Sequence, residues 1–444
     1  MKLSEIVAVI GLSLVFMALS SLPYLGQLPS WIFAFCLPVS TLALMLVLVV
    51  SSIKKDIVTF CFFLFFFLYY IGPILADRAF GLYGLDLQFP KYLNISIYIF
   101  SVFFLYSCAL YLVVFRSKVR IIREVLDLNQ HIRPSLNKGQ TKSLFYVFVI
   151  SVLVVSLQGD LSFSEGGFDV ERIHAQAGSG LKIALVKIVG SYLFFVIVLR
   201  FKDDFFLHIV GCLLLSYAAF ALTGHRSSIA VFVLPLMFVY YLRGIISFKV
   251  GLVFSLLLVF LFTVLGAYRA SGEISLSVAK FLYIFFGALG DIKPYVIAIK
   301  HSFVEGPSMG GELLDTVIRF IPREFFPEKQ LTFGVAGDLG GEEVFSRVPG
   351  LIGEGMFLFG PFGALVLVFV HTAFSTNLIS LIRESKTVFS KAFFIWLAPG
   401  VVFLNRGGLD AFFYNLIFIF FLLTFLSISV YIFSNRKLGE SCLT

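Results

Sequence analysis

Two short stretches of this 444-residue chain carry charges whose types and spacing could do chemistry. The first reads Thr223-Gly224-His225-Arg226-Ser227-Ser228 and lies between two apolar runs. Gly224 is suited to end one helix and Ser227 to cap the next, which puts Arg226 at a helix N-terminus. Free backbone N–H groups, the helix dipole and a planar guanidinium then converge on one point, the arrangement that binds phosphate. An arginine there opposes the dipole and calls for an anionic partner, and a lipid headgroup would also satisfy it. The second stretch begins at Gly310 and ends at Glu354. Within it Leu313, Leu314, Val317, Ile318 and Ile321 recur at helical spacing until Pro322 stops the helix, so Arg319 and Arg323 straddle a break. Arg319 has Asp315 four residues before it, the spacing of a surface ion pair, whereas Arg323 has no such acid and is the better anion-binding candidate. Lys329 also lacks an acid at that spacing, and Arg347 has Glu343 there but on no assured helix; both remain anion-binding candidates. Glu354, set between Gly353 and Gly355 at the mouth of an apolar run, and His225 are the two groups that could accept a hydroxyl proton. A helix dipole would keep Glu354 ionised and a weak base, while an imidazole titrates near ~6.5. The flanking glycines, which let backbone approach a ligand closely, tilt the choice toward Glu354. His225 stays open as the alternative.

The elements that must position these residues follow from composition. The chain is 59% hydrophobic and 14% charged, with 56 Phe and a mean hydropathy of +0.99. A soluble domain carries about 25% charged residues, so an ordinary globular enzyme is excluded and an all-α, polytopic integral membrane protein is expected. Apolar stretches of spanning length predict about twelve transmembrane helices, near Ile6–Leu22, Trp31–Val50, Ile57–Leu75, Leu93–Phe115, Ser143–Leu157, Leu181–Leu199, Phe205–Leu222, Ser228–Leu242, Val250–Leu265, Met356–Leu378, Val388–Leu404 and Ala411–Ile432. Placing both termini in the cytoplasm puts every short basic loop inside, as the positive-inside rule requires. The net charge of +8 is thereby a topology signal and implies no nucleic acid. Three parts follow: residues 1–265 with nine spans, a large outer loop over 266–355, and residues 356–444 with three spans and a cytoplasmic tail. Val278–Leu289, twelve apolar residues, is too short to cross and is expected as an interfacial or re-entrant helix on the outer side. His208 and His371 are lone histidines in spans, better read as core residues than as a proton relay. Four of the five cysteines fall in spans and Cys442 in the inner tail, so no outer disulfide or thiolate metal site is expected. No metal-ligand spacing, nucleotide loop or internal repeat is present, and no metal or cofactor is expected.

The T-G-H-R-S-S turn, the R-F-I-P-R-E-F-F-P-E-K-Q stretch and L-I-G-E-G-M-F-L-F-G-P-F-G entering a late span together resemble the O-antigen polymerase (Wzy) and oligosaccharide repeat-unit polymerase family. Members also carry an Arg followed after ten residues by Gly, a spacing that Arg323 and Gly334 match and that composition alone would often supply. Arg172, in an earlier outer loop, does not match it. The resemblance implies glycosyl transfer at the periplasmic face of a bacterial inner membrane between glycans linked to undecaprenyl pyrophosphate. Arginines would bind the pyrophosphate, with membrane lipids around the site and a chain-length regulator as a partner protein. By analogy it implies a GT-C-like helical architecture. An O-antigen ligase shares these features, while a lipid-linked oligosaccharide flippase or other secondary transporter would show repeated halves, broken helices and cavity-lining charges.

The loop asymmetry yields a topology test. In a background without native cysteines, single cysteines near Asp169 and Glu328 should react with an impermeant thiol reagent from outside, and one near Arg123 only from inside. Outside labelling near Arg123 would overturn the orientation.

Overall fold

In lipid a long apolar run has one inexpensive conformation, the helix, because it bonds its own backbone groups. The computed structural model describes residues 3–26, 29–54, 56–80, 90–115, 185–223, 227–254, 292–310, 349–385 and 390–398, with isolated positions between them, and the regular elements among these are helical. They are α1 (Leu3–Leu25), α2 (Ser30–Ile53), α3 (Ile57–Phe80), α4 (Pro90–Leu110, running into a π-turn over Tyr111–Phe115), α5 (Ser191–Arg200, preceded by a π-turn over Leu185–Gly190), α6 (Phe205–Thr223), α7 (Ser227–Leu242), α8 (Ile292–Val304) and α9 (Gly350–Glu384). Five of them, α1 to α4 and α9, are long and apolar enough to cross a membrane; α5 to α7 hold shorter apolar stretches. The expected all-α class with several apolar spans is what these helices show. The first four spans match α1 to α4 within a few residues. The span expected over Ala411–Ile432 lies outside the described residues, those over Ser143–Leu157, Val250–Leu265 and Val388–Leu404 are described only in part, with residues 390–398 helical, and the helix over Val278–Leu289 lies largely outside.

The chain divides into two compact units, Met1–Arg133 with Leu234–Asp410, and Pro134–Val233 with Ala411–Thr444. In the first, α3 and α4 meet through fully buried phenylalanines, among them Phe63, Phe66, Phe100 and Phe104, with ring centroids 5.3 to 6.2 Å apart. Lipid removes the hydrophobic drive between helices, so such contacts act by dispersion and edge-to-face electrostatics, helped by buried hydrogen bonds. Ser107 and Thr372 supply one between α4 and α9 at 2.7 Å, and Tyr106 and Ser13 one between α4 and α1 at 2.8 Å. His371 packs edge-on against Phe62, centroids 4.8 Å apart, in keeping with its reading as a core residue. In the second unit Phe194 stacks on Phe145 and meets Phe232 edge-on, and Gly211 lets α6 approach Phe145 and Phe194 closely. Asp204 begins α6, accepting from Leu207 N–H at 3.2 Å and from Lys142 at 2.5 Å. That ammonium holds the carboxyl below the usual carboxylate range.

The tenth expected span needs correction. Met356–Leu378 reads as one uninterrupted apolar run, yet α9 starts at Gly350 and breaks at Phe359 (φ −138°, ψ 19°) and Gly360 (φ 64°, ψ −150°). The second pair of angles is open only to glycine. Pro361 then restarts the helix at its first position, where a missing N–H costs nothing. The break reverses the chain. A Cβ added to Gly355 would stand 2.4 Å from Ala364 Cα, and one on Gly363 would stand 2.4 Å from Gly355 O. Residues 350 to 358 therefore form a half-helix folded back on the long arm that follows, in backbone contact with it.

Because this contact has no room for a methyl group, Gly355→Ala and Gly363→Ala should each lose about 1–3 kcal/mol of stability, the scale of overpacking a filled site. Gly11→Ala, with open space around it, should cost nothing measurable. Thermal unfolding in detergent reads the difference, and three equal values would refute the hairpin.

Candidate functional site

Residues 350 to 358 of the half-helix are all buried, and Glu354 is 4% exposed. Three packed elements hold them. From α3, Tyr70 Oη accepts Ile352 N–H at 2.9 Å and satisfies one of the four donors that every helix start leaves open. Gly350, at φ 72°, packs so tightly that an added Cβ would be 2.6 Å from Tyr70 Oη and 2.7 Å from the Tyr69 ring. From α8, the Tyr295 ring lies 3.1 Å from a Cβ position on Gly353, and its hydroxyl donates to Ser96 O of α4 at 2.8 Å. His301 packs at a tilt against Phe357 with centroids 4.6 Å apart and pairs with Glu305 at 3.1 Å. The segment after α8 then closes the far end, where Ser308 N–H donates to Phe357 O at 2.9 Å.

Depth follows from helical rise. Tyr70 is ten residues before the end of α3, so the N-terminus of the half-helix lies about 15 Å from the Phe80 end of that span. Positions 350, 353, 354 and 357 share one face of a helix. Gly350 meets Tyr69 and Tyr70, Gly353 meets Tyr295, and Phe357 meets His301, so the face that carries Glu354 is lined by phenols and one imidazole. Tyr70 and Tyr295 touch edge to face at 4.8 Å. The Glu354 carboxyl is close enough to the Tyr70 hydroxyl for the two to interact electrostatically.

Of the residues singled out from the sequence, Glu354 is placed, and its place differs from the expected one. It lies inside a buried half-helix and not at an open mouth. Its flanking glycines have structural work to do: Gly353 clears Pro349 and Tyr295, and Gly355 clears Gly363 and Ala364. The reading of these glycines as room for a bound ligand gives way to helix packing. His225, Arg226, Arg319, Arg323, Lys329 and Arg347 lie outside the described residues. The turn that carries His225 and Arg226 is bounded by the end of α6 at Thr223 and the start of α7 at Ser227. Tyr70, Tyr295 and His301 were not legible as site residues. The sequence signal for them is the Gly350, Gly353, Gly355 spacing, which marks a helix face under close contact. Within the segment expected as an outer loop, Tyr295, Val296, Ala298 and Ile299 of α8 are fully buried.

A second buried acid, Asp56, serves a different purpose. It stands ahead of α3, accepts from Thr59 N–H at 3.1 Å and Thr59 Oγ1 at 2.6 Å, and caps that helix. Burial pushes its carboxyl up to about 6. Among the described residues no group of three or more His, Cys, Asp or Glu could hold a metal ion. No protein-family model, curated protein or solved structure matches the chain.

Gly350 tests the seating of the half-helix. Gly350→Ala adds left-handed backbone strain of about 1–2 kcal/mol and forces Tyr70 aside, so a loss of at least ~2 kcal/mol is expected in thermal unfolding. Wild-type stability would show that the half-helix does not start against Tyr70.

Proposed function

We propose that this chain is a glycosyltransferase that polymerises undecaprenyl-pyrophosphate-linked oligosaccharide repeat units into O-antigen or a related surface polysaccharide. It would act at the periplasmic face of a bacterial inner membrane, with a GT-C-like arrangement of spans. The observation that carries the reading is Glu354, a carboxyl buried among apolar helices. Such groups are costly in lipid and mark functional pathways. In the reaction a hydroxyl oxygen of the acceptor sugar bonds to the anomeric carbon of the donor glycan. The bond from that carbon to the pyrophosphate oxygen breaks, and undecaprenyl pyrophosphate leaves. Glu354 takes the hydroxyl proton, with His225 as the alternative base. Arg226 and Arg323, with Arg319, Lys329 and Arg347, neutralise the charge that gathers on the leaving group.

One observation favours a second reading. The break at Phe359–Gly360 sets a half-helix N-terminus beside the middle of a span, a feature of secondary transporters, and so supports a lipid-linked oligosaccharide flippase. The one long asymmetric outer segment expected from the sequence favours the enzyme.

Deletion of the gene followed by gel analysis of surface polysaccharide decides between them. A polymerase loss leaves chains of a single repeat; absence of any glycan on the core points to a ligase or flippase, and an unchanged ladder to unrelated transport. In the polymerase case Arg226→Lys and Arg323→Lys should lose most long polymer at normal expression, because an ammonium cannot replace a bidentate guanidinium. Purified Glu354→Gln should turn over at least ~100-fold more slowly. If Glu354→Gln is fully active and His225→Ala is inactive, the base is His225.

A further inference from the structure

We propose that the cleft between α2 and α3 binds one anionic glycerophospholipid, with an acyl chain in the cleft and the phosphate on Arg78. The cleft has a volume of about 500 Å³ and is lined by Leu37, Pro38, Thr41 and Leu42 of α2 and by Ile71 and Leu75 of α3. Its edges are open, with Leu42 69% and Leu75 49% exposed. Thr41 supplies the one hydroxyl of this lining, and it donates to Leu37 O at 2.8 Å. A hydroxyl bonded back to its own helix leaves the lining hydrocarbon in character, suited to an alkyl chain. The backbone gives a reason for a cleft at this depth. Pro38 lies inside α2 and Pro73 inside α3, and Pro38 shares the cleft with Ile71 and Leu75, the residues two before and two after Pro73. A proline ring crowds the carbonyl four residues before it, so two prolines at one depth keep the helices from closing on each other.

The charge stands where a headgroup would. Ile71, Leu75 and Arg78 follow one another at i, i+4 and i+7 on one face of α3, so the cleft leads within one turn to a guanidinium nearer the Phe80 end. Arg78 is exposed and, among the described residues, its partner is the neutral side-chain carbonyl of Asn94, to which it donates at 3.2 Å. Lys91, three residues before Asn94 on α4, brings a second exposed cation to the same end. Trp31, 63% exposed at the start of α2, stands at this end too, and indoles collect at the headgroup level of a bilayer. Two cations above a hydrocarbon cleft are complementary to a lipid phosphate with its chain below. Ile71 is turned about 100° around α3 from Tyr70, so the cleft lies on a different face of that helix from the half-helix and Glu354. Its occupant is therefore a resident lipid and not one that reacts, which favours a glycerophospholipid over a polyprenyl phosphate.

The test uses the full-length protein, delipidated in detergent and titrated with phosphatidylglycerol or with phosphatidylcholine of the same acyl chains, bound lipid being counted by native mass spectrometry. Phosphatidylglycerol should bind more tightly. The attraction of one surface cation for anionic lipid corresponds to about a fivefold change in affinity, so Arg78→Gln should weaken phosphatidylglycerol by that factor. Adding Lys91→Gln should weaken it further and close the gap to phosphatidylcholine. Lys249→Gln, which removes an exposed charge elsewhere in the same unit, should leave both affinities in place. Leu42→Trp, which fills the cleft from its exposed edge, should weaken both lipids. Unchanged phosphatidylglycerol binding in the Arg78/Lys91 double variant, an equal loss in Lys249→Gln, or undiminished binding of both lipids in Leu42→Trp overturns the proposal. Undecaprenyl phosphate that displaces phosphatidylglycerol and binds more tightly, with the same dependence on Arg78 and Leu42, also overturns it and assigns the cleft to a carrier lipid.

Discussion

The hairpin of α9 depends on the backbone contact between Gly355 and the Gly363–Ala364 step. A helix broken inside a lipid-exposed bundle leaves carbonyls and amides with no water to bond, and each orphan costs several kcal/mol. The contact makes such a break tolerable by folding the short arm against its own long arm, with α3 and α8 enclosing it. Tyr70 then accepts one amide at the start of the half-helix, and Ser308 donates to one carbonyl at its end. A side chain at either position would force the two arms to shift.

From that hairpin the roles of neighbouring elements follow. α8 runs in the same direction as the half-helix, Tyr295 opposite Gly353 and His301 opposite Phe357, and it must arrive before the hairpin in order to fill the space that the shortened arm leaves. The segment after it turns through three positive-φ residues, Gly306, Met309 and Gly310, and packs under the tip, where an added Cβ on Gly310 would meet Phe359 at 2.4 Å. Met309 is the one non-glycine among the described residues with positive φ, so the tip is reached at a cost in backbone strain. The aromatic packing of α3 against α4 then serves as the rigid wall on which Tyr70 stands.

Much of this was legible in the sequence, and the failures have a common physical cause. Spanning helices announce themselves by hydropathy because lipid imposes a length and a polarity, and α1 to α4 fell where that rule put them. The hairpin did not, because hydropathy reports how apolar a run is and carries no sense of chain direction. Met356–Leu378 satisfies the length rule whether it crosses straight or doubles back. Gly360-Pro361 was the local sign of the break, a residue free to adopt the required angles followed by one suited to start a helix. Glu354 was found by its type and its position ahead of an apolar run. Its phenolic neighbours were not, since Tyr69 and Tyr70 reach it from 285 and 284 residues away and Tyr295 from within an apparent loop, and aromatic residues in a Phe-rich chain raise no local signal.

The charge economy of the first unit separates its buried acids by kind. Asp56 is buried at a helix start, where Thr59 N–H and Oγ1 bond it locally and its burden on the fold is met by the helix it caps. Glu354 is the fifth residue of its half-helix, beyond the first turn and so beyond the reach of that kind of capping. What stands on its face instead are two phenols, Tyr70 and Tyr295, and the His301 imidazole. The two acids thus differ in placement: the start of α3 holds Asp56 through Thr59, and the packing of α9 against α3 and α8 encloses Glu354.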